Sequence, residues 1–175
     1  MKIVFVGPPG VGKSTAIRTL SDFPPVTTEV PSSDEERMTT VALDFGEIDL
    51  DGDEPLRLYG VPGQERFEFI WPLVSDGAVG MFFLVNCTDP EPLKVLDEYL
   101  TNFAELADKV PAIVVLCHGD AAPDSLREQQ FVRHLEQRGR PMPVVELDLR
   151  KKREALYLMH MLLALIERRR SSEAG

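Results

Sequence analysis

The chain of 175 residues predicts an α/β domain: a six-stranded, mainly parallel sheet with one antiparallel hairpin strand and helices on both faces. Three observations carry this. Strand-like and helix-like segments alternate along the chain, the pattern of a sheet wound with crossover helices. Ala78–Val85 and Pro111–Cys117 are continuous apolar runs, as expected for parallel strands buried on both faces. Between Val41 and Tyr59 two strand-like runs flank a short acidic turn, which supplies one antiparallel pair.

Taken in order, Ile3-Val4-Phe5-Val6 is the first strand, and Lys13 to Leu20 is the first helix. Phe23 to Thr39 is rich in Pro, Ser, Thr and acids and has no apolar period, so it reads as a surface loop carrying function. Val41 to Leu50 alternates Val41, Leu43 and Phe45, then Ile48 and Leu50, a half-buried strand. Asp51 to Glu54 turns the chain, and Pro55 to Tyr59 returns as the next strand. After Ala78–Val85, the residues Leu93, Leu96, Tyr99, Leu100, Phe103 and Leu106 recur at helical spacing. Beyond Pro111–Cys117, Ser125 with Glu128 forms a capping box for a helix that stops at Gly139. Pro143 to Leu147 is the last strand. Glu154 to Arg168 is the closing helix, with Leu156, Met159, Leu162, Leu163 and Ile166 facing inward and Arg168 to Arg170 suiting its C-terminal end. No linker interrupts the series, so residues 1–170 form one domain and 171–175 a short tail.

Hydrophobic content of 43% and charged content of 27% are those of a soluble globular protein. A net charge of −10 opposes nucleic-acid binding, because the phosphate backbone is repelled by most of such a surface. No apolar run is long enough to span a bilayer, and Met1-Lys2 leads straight into a strand with no room for a signal peptide. Cys87 and Cys117 each close a buried strand and suit reduced thiols. A cytoplasmic location is expected.

Residues Gly7-Pro8-Pro9-Gly10-Val11-Gly12-Lys13-Ser14-Thr15 contain the pattern G-x-x-x-x-G-K-S/T in full, between a strand and a helix. The glycines let successive backbone N–H groups turn inward into a concave donor surface for phosphate oxygens. Lys13 reaches the β and γ phosphates, the Ser14 hydroxyl ligates Mg²⁺, and the helix N-terminus adds its dipole to the same anion site. This loop specifies a nucleoside phosphate and leaves kinases, ATPases and GTPases open.

The stretch Tyr59-Gly60-Val61-Pro62-Gly63-Gln64-Glu65-Arg66-Phe67 narrows the class. Together with Thr40-Val41-Ala42-Leu43-Asp44-Phe45, it resembles the two switch segments of the Ras-like small GTPases, a resemblance running from Lys2 to Arg168. The Val-Pro-Gly-Gln form is similar to bacterial members, of the gliding-motility MglA type and the actinobacterial conservon-encoded type. The resemblance implies a small GTPase-like P-loop NTPase fold, GTP and GDP as ligands, and Mg²⁺ held by Ser14 and Thr40. Gly63 then brings its backbone N–H to the γ-phosphate, and Gln64, whose amide both donates and accepts, orients the attacking water beside Lys13. Loss of the γ-phosphate would release both segments. Roadblock-type regulators or a GTPase-activating protein are the implied partners.

The chain departs from the family at two places. Gly60 stands where eukaryotic-type members carry an Asp that holds Mg²⁺ through water; the MglA type lacks it too. Cys117-His118-Gly119-Asp120 stands where Asn-Lys-x-Asp reads the base. Asp120 keeps a carboxylate that matches the N1–H and exocyclic amine of guanine, and His118 can lie against the base, but Cys117 cannot repeat the hydrogen bonds of Asn. Asp148-Leu149-Arg150 takes the place of a Ser-Ala-Lys loop without matching its side chains. Arg37 reads as a solvated charge. Two rivals stay open: a pseudo-GTPase that holds nucleotide without turnover, and a small P-loop kinase suggested by the Gly-Pro-Pro-Gly opening.

Overall fold

A computed structural model describes residues 1–24, 26–30, 41–50, 54–62, 65–121 and 127–173. Its centre is β1 (Lys2–Gly7), whose side chains Ile3, Val4, Phe5 and Val6 are fully buried. Strand alternation sends Ile3 and Phe5 to one apolar layer and Val4 and Val6 to the other. Each such side chain contributes on the order of 1.5–3 kcal/mol relative to exposure. The chain continues through α1 (Lys13–Leu20), β2 (Val26–Val30), β3 (Val41–Ile48), β4 (Leu56–Pro62), a 3-10 turn (Glu65–Ile70) and α2 (Trp71–Ser75). It then forms β5 (Ala78–Asn86), α3 (Pro92–Asn102), α4 (Ala104–Lys109), β6 (Ala112–Cys117), a 3-10 turn (Gly119–Ala121), α5 (Arg127–Gln137), β7 (Val144–Glu146) and α6 (Lys152–Glu173).

The strands lie in the order β2-β3-β4-β1-β5-β6-β7. β1 pairs in parallel with both β4 and β5, and β5, β6 and β7 continue in parallel. β3 runs antiparallel to β4, the expected hairpin. Helices α1 and α6 cover one face of the sheet; α2, α3, α4 and α5 cover the other. Because the chain leaves β1 toward β4 on one side and β5 on the other, a crevice opens beyond the C-terminal end of β1, where sheets of this kind bind ligands.

All six expected strands are present, and a seventh, β2, pairs antiparallel with the outer edge of β3. It lies inside the segment read as a loop. Val26, Thr27, Thr28 and Val30 are β-branched, and the open edge of β3 pairs the backbone groups on the strand's inner side, so pairing outweighs the polar composition of the segment. The helix expected over Leu93–Leu106 is two: the backbone leaves helical geometry at Phe103 (φ −110°), whose buried ring packs on Trp71 at 4.7 Å between centroids. In α6 the inner line is Ala155, Leu158, Met159, Leu162 and Ile166, with Leu163 partly buried, while Leu156 is exposed, contrary to expectation. The expected capping box of Ser125 with Glu128 falls partly outside the described residues, at Ser125. Glu128 turns its carboxylate outward to accept from Glu146 N at 2.8 Å. Both cysteines are free. No helix among the described residues is long and apolar enough to cross a membrane.

Candidate functional site

The loop between β1 and α1 is shaped by its glycines. Gly10 (φ 76°) and Gly12 (φ 114°) occupy the left-handed region that side chains disfavour. α1 starts from Gly12 with no side-chain cap and no acidic residue of its own in its first turn, so its N-terminal N–H groups and dipole face the crevice. Lys13 folds back over the loop, its Nζ donating to Gly7 O at 2.7 Å and Pro8 O at 2.9 Å. Burial pushes the Lys13 ammonium down to about 8, against the opposing pull of Asp44. A lysine held this way is fixed in position, and an anion beside it would offset the burial that disfavours its charge.

Ser14 Oγ donates to Asp44 Oδ2 at 2.6 Å. Asp44 lies on β3 and pairs in register with Gly60 on β4. A Cβ built on Gly60 would stand 3.0 Å from Asp44 Cβ and 3.1 Å from Asp44 Oδ2. The carboxylate of Asp44 therefore fills the space a side chain at position 60 would use, and reaches the hydroxyl of the phosphate loop from the neighbouring strand. In the sequence alone Gly60 reads as a missing acid and Asp44 only as a strand residue. The signal was available: a hairpin turning on Asp51–Glu54 brings Asp44 opposite Gly60, and Asp44 is the acid in an otherwise apolar run.

Ser14 and Asp44 offer hard oxygen donors, the chemistry Mg²⁺ requires. Among the described residues no group of three or more His, Cys, Asp or Glu side chains is placed to hold a metal by itself. A cation there would have to share its coordination with phosphate, as Mg²⁺ does in nucleotide sites. The donor set fits. Of the other residues read as site members, Thr40, Gly63 and Gln64, and also Arg37, lie outside the described residues.

The crevice widens into a cavity of about 450 Å³ bounded by Gly10, Gly12 and Thr15 on one side and by the loops after β6 and β7 on the other. Its volume is that of a small-molecule pocket. His118 takes a left-handed backbone conformation (φ 61°), which swings the loop out of β6 and leaves its side chain exposed at the cavity wall. Asp120 lies on the same wall. Cys117 borders the same cavity but is almost wholly buried against the α1 and α6 layer, and burial pushes its thiol up to about 12, so it stays neutral. It acts as a small apolar residue and contributes no charge to the cavity.

Residues that sequence reasoning passed over hold these loops. Arg127, buried at the start of α5, donates from Nη1 to Glu146 Oε2 at 3.1 Å. Glu146 in turn lies against Gly119, where a Cβ would fall 1.8 Å from its Oε1. Only glycine fits there. At the start of α6, Glu154 accepts from Asp148 N at 2.6 Å and pairs with Lys151 at 2.9 Å, which fixes the turn after β7. Arg150 is tied to Asp148 through both Nε (2.7 Å) and Nη2 (2.9 Å), and Nη2 also reaches Asp120 Oδ2 at 3.2 Å. The Asp148–Leu149–Arg150 segment is thus a charged wall of the cavity.

Comparison with known proteins agrees with this geometry. Residues 2–118 match the model of the family described as 50S ribosome-binding GTPase. The Ras-related protein RAB1BV of Beta vulgaris is 30% identical over 119 residues, 66% of this chain and 52% of the relative. The GTP-binding protein ypt2 of Schizosaccharomyces pombe is 29% identical over 112 residues, 62% of this chain and 52% of the relative. The chain spans about half the length of these curated relatives. A crystal structure of a bacterial selenocysteine-specific elongation factor, EF-Sec, superposes with a TM-score of 0.66 at 22% identity, covering 95% of this chain and 28% of that one, a likeness of fold.

Proposed function

The chain belongs to the P-loop GTPase family of that model, within the Ras-related GTPase superfamily, and from that premise we propose that it is a GTP-binding switch that hydrolyses GTP slowly. The observation that carries the proposal is the contact of Ser14 with Asp44 in the space beside Gly60. It returns a carboxylate to the place where eukaryotic-type members carry an Asp and this chain has Gly60.

In this reading the loop amides and Lys13 grip the β and γ phosphates, and Gln64 orients water for in-line attack on the γ-phosphorus. Ser14, Asp44 and Thr40 are the residues that would hold Mg²⁺, which when bound neutralises charge on the β and γ oxygens. Lys13 supplies a fixed positive charge where negative charge shifts toward the leaving oxygen. Asp120 accepts from guanine N1–H and the exocyclic amine, with His118 against the base. Unassisted turnover for this template is on the order of 10⁻⁴ to 10⁻² s⁻¹. The switch segments around Thr40 and Gln64 form the partner surface. The Val61-Pro62-Gly63-Gln64 form favours the bacterial MglA-like or conservon-type branch, a signalling or polarity role in the cytoplasm, and a Roadblock-type regulator or activating protein as partner.

The test is steady-state phosphate release from GTP in the presence of Mg²⁺. Slow release is expected, abolished by Gln64→Leu, with Asp44→Asn raising the Mg²⁺ concentration needed for half-maximal rate. Tight GTP binding with no release at any Mg²⁺ concentration would favour the pseudo-GTPase. Phosphoryl transfer to a small acceptor in place of water would favour the kinase. Asp120→Asn should weaken GTP and improve XTP relative to it, because xanthine carries a carbonyl in place of the guanine amine; an unchanged preference would remove Asp120 from the base site.

A further inference from the structure

We infer that Arg150 is a specificity-determining residue of the base pocket, reading the purine O6 through its guanidinium beside the carboxylate of Asp120. The inference rests on the GTP reading above and concerns how guanine is told from adenine when Cys117 cannot provide the side-chain amide found elsewhere in the family.

The geometry begins with Asp148. Its two carboxylate oxygens accept from Arg150 Nε at 2.7 Å and Nη2 at 2.9 Å, a bidentate pair that fixes the plane of the guanidinium. Asp148 Oδ1 also accepts from Arg150 N at 3.1 Å, which locks the turn that carries both residues. The same contacts hold the Asp148 carboxyl down at about 2, so the pair stays ionised at any ordinary pH. Arg150 Nη2 then spans to Asp120 Oδ2 at 3.2 Å across the cavity wall. Two groups remain. Asp120 Oδ1 and Arg150 Nη1 have no hydrogen-bond partner among the described residues, and they belong to side chains already joined. The cavity therefore presents an acceptor next to a donor.

Guanine presents the complement along one edge: N1–H and the 2-amine donate, and the adjacent O6 accepts. Asp120 takes the donors and Arg150 the carbonyl. Adenine reverses the order, with N1 accepting and the 6-amine donating, so a carboxylate would meet a lone pair and a guanidinium would meet N–H. Each of the two groups alone disfavours adenine, and the fixed pairing between them makes the mismatches simultaneous. Arginine suits this role because its planar fork serves Asp148 with one edge while leaving another for the ligand.

Competitive displacement of a fluorescent GTP analogue from the full chain by GTP, ITP and ATP tests the inference in the unmodified protein and in Arg150→Ala. Hypoxanthine keeps O6 and N1–H but lacks the 2-amine. Arg150→Ala should weaken GTP and ITP by the same factor, about tenfold for one charge-assisted base contact, and leave ATP unchanged. The preference for guanine over adenine then falls by that factor. Arg150→Lys, which keeps charge but loses the fork, should recover part of the loss, and Asp148→Asn should cost less than Arg150→Ala. Equal or tighter GTP binding in Arg150→Ala would overturn the inference, showing that Arg150 only competes for Asp120. An equal loss for ATP would overturn it in favour of a role in holding the loop. If the unmodified protein binds neither GTP nor ATP, the GTP reading fails with it; if Asp120→Asn shifts toward XTP while Arg150→Ala changes nothing, this inference fails alone.

Discussion

In the GTP reading proposed above, the two ends of the cavity meet the same problem, a missing family side chain, in different ways. At the phosphate end the missing group is a carboxylate, and Asp44 supplies it from the next strand, into the volume vacated by Gly60 and onto the hydroxyl of Ser14. At the base end the missing group is an amide at Cys117, and nothing takes its place on that strand; the cavity is instead edged by the Asp120–Arg150–Asp148 chain from two loops. The difference follows from rigidity. Between paired strands the register fixes neighbouring Cα atoms, so one residue can exchange places with its partner across the ladder. Loops have no such ladder, and their geometry has to be held by ion pairs such as Arg127–Glu146 and Lys151–Glu154. The family match covers residues 2–118, so it takes in the first end and stops before Asp120.

Substitutions can break this contrast, beginning with the largest effect. Lys13→Met should lower affinity for GTP and ATP alike by about 10²–10³-fold, the cost of one preorganised donor to a transferring phosphoryl group. Titration calorimetry with both nucleotides reads it. A loss confined to GTP would mean that the two ends are not separable.

The pH dependence divides the ends next. Free Lys13 titrates near 8, and a bound triphosphate raises it, so binding takes up a proton above that pH. Affinity should be flat below pH 8 and fall by up to about tenfold per unit above it. Asp148, held near 2, does not titrate in this window. The ratio of GTP to ATP affinity should therefore stay constant while both decline. Folding has the opposite sign: between about 8 and 10.5 the unfolded chain binds more protons at Lys13, so that contribution to stability grows as pH rises.

A strand-to-strand exchange sharpens the comparison further. Asp44→Gly should raise the Mg²⁺ concentration for half-maximal hydrolysis by roughly tenfold, the cost of one charged ligand contact. Gly60→Asp alone should cost about 1–3 kcal/mol of stability, because its Cβ meets Asp44 and Ile17 at 3.0 Å. Combining them should recover both thermal stability and Mg²⁺ response. A double variant no better than either single would show that Asp44 does not stand in for an acid at 60. The smallest effect is expected from Cys117→Ala, which should lose about 1 kcal/mol of core packing and leave purine preference unchanged, since the thiol at the cavity's edge is almost wholly buried and neutral. A changed GTP-to-ATP ratio would return Cys117 to the base site.

Much of the molecule was legible in the residues themselves. The phosphate loop, the first helix from Lys13 to Leu20, the hairpin and the central strands all follow from local spacing and composition, because turns, caps and alternation act over a few residues. The edge strand β2 was missed because its stability comes from the free side of β3, not from its own polar sequence. Leu156 was placed inward because a helical stripe is wider than the line of residues the sheet covers.

The sequence by itself therefore determined that this chain winds a mainly parallel sheet, carries a phosphate-binding loop and lacks two of the side chains its relatives use. Only the tertiary structure decided what stands in their places. Asp44 is sixteen residues from Gly60 and thirty from Ser14, and Asp120 is thirty from Arg150. Hairpin register brings Asp44 opposite Gly60, but the separations of thirty carry no local signal; they become contacts when sheet and loop packing bring distant charges within hydrogen-bonding reach.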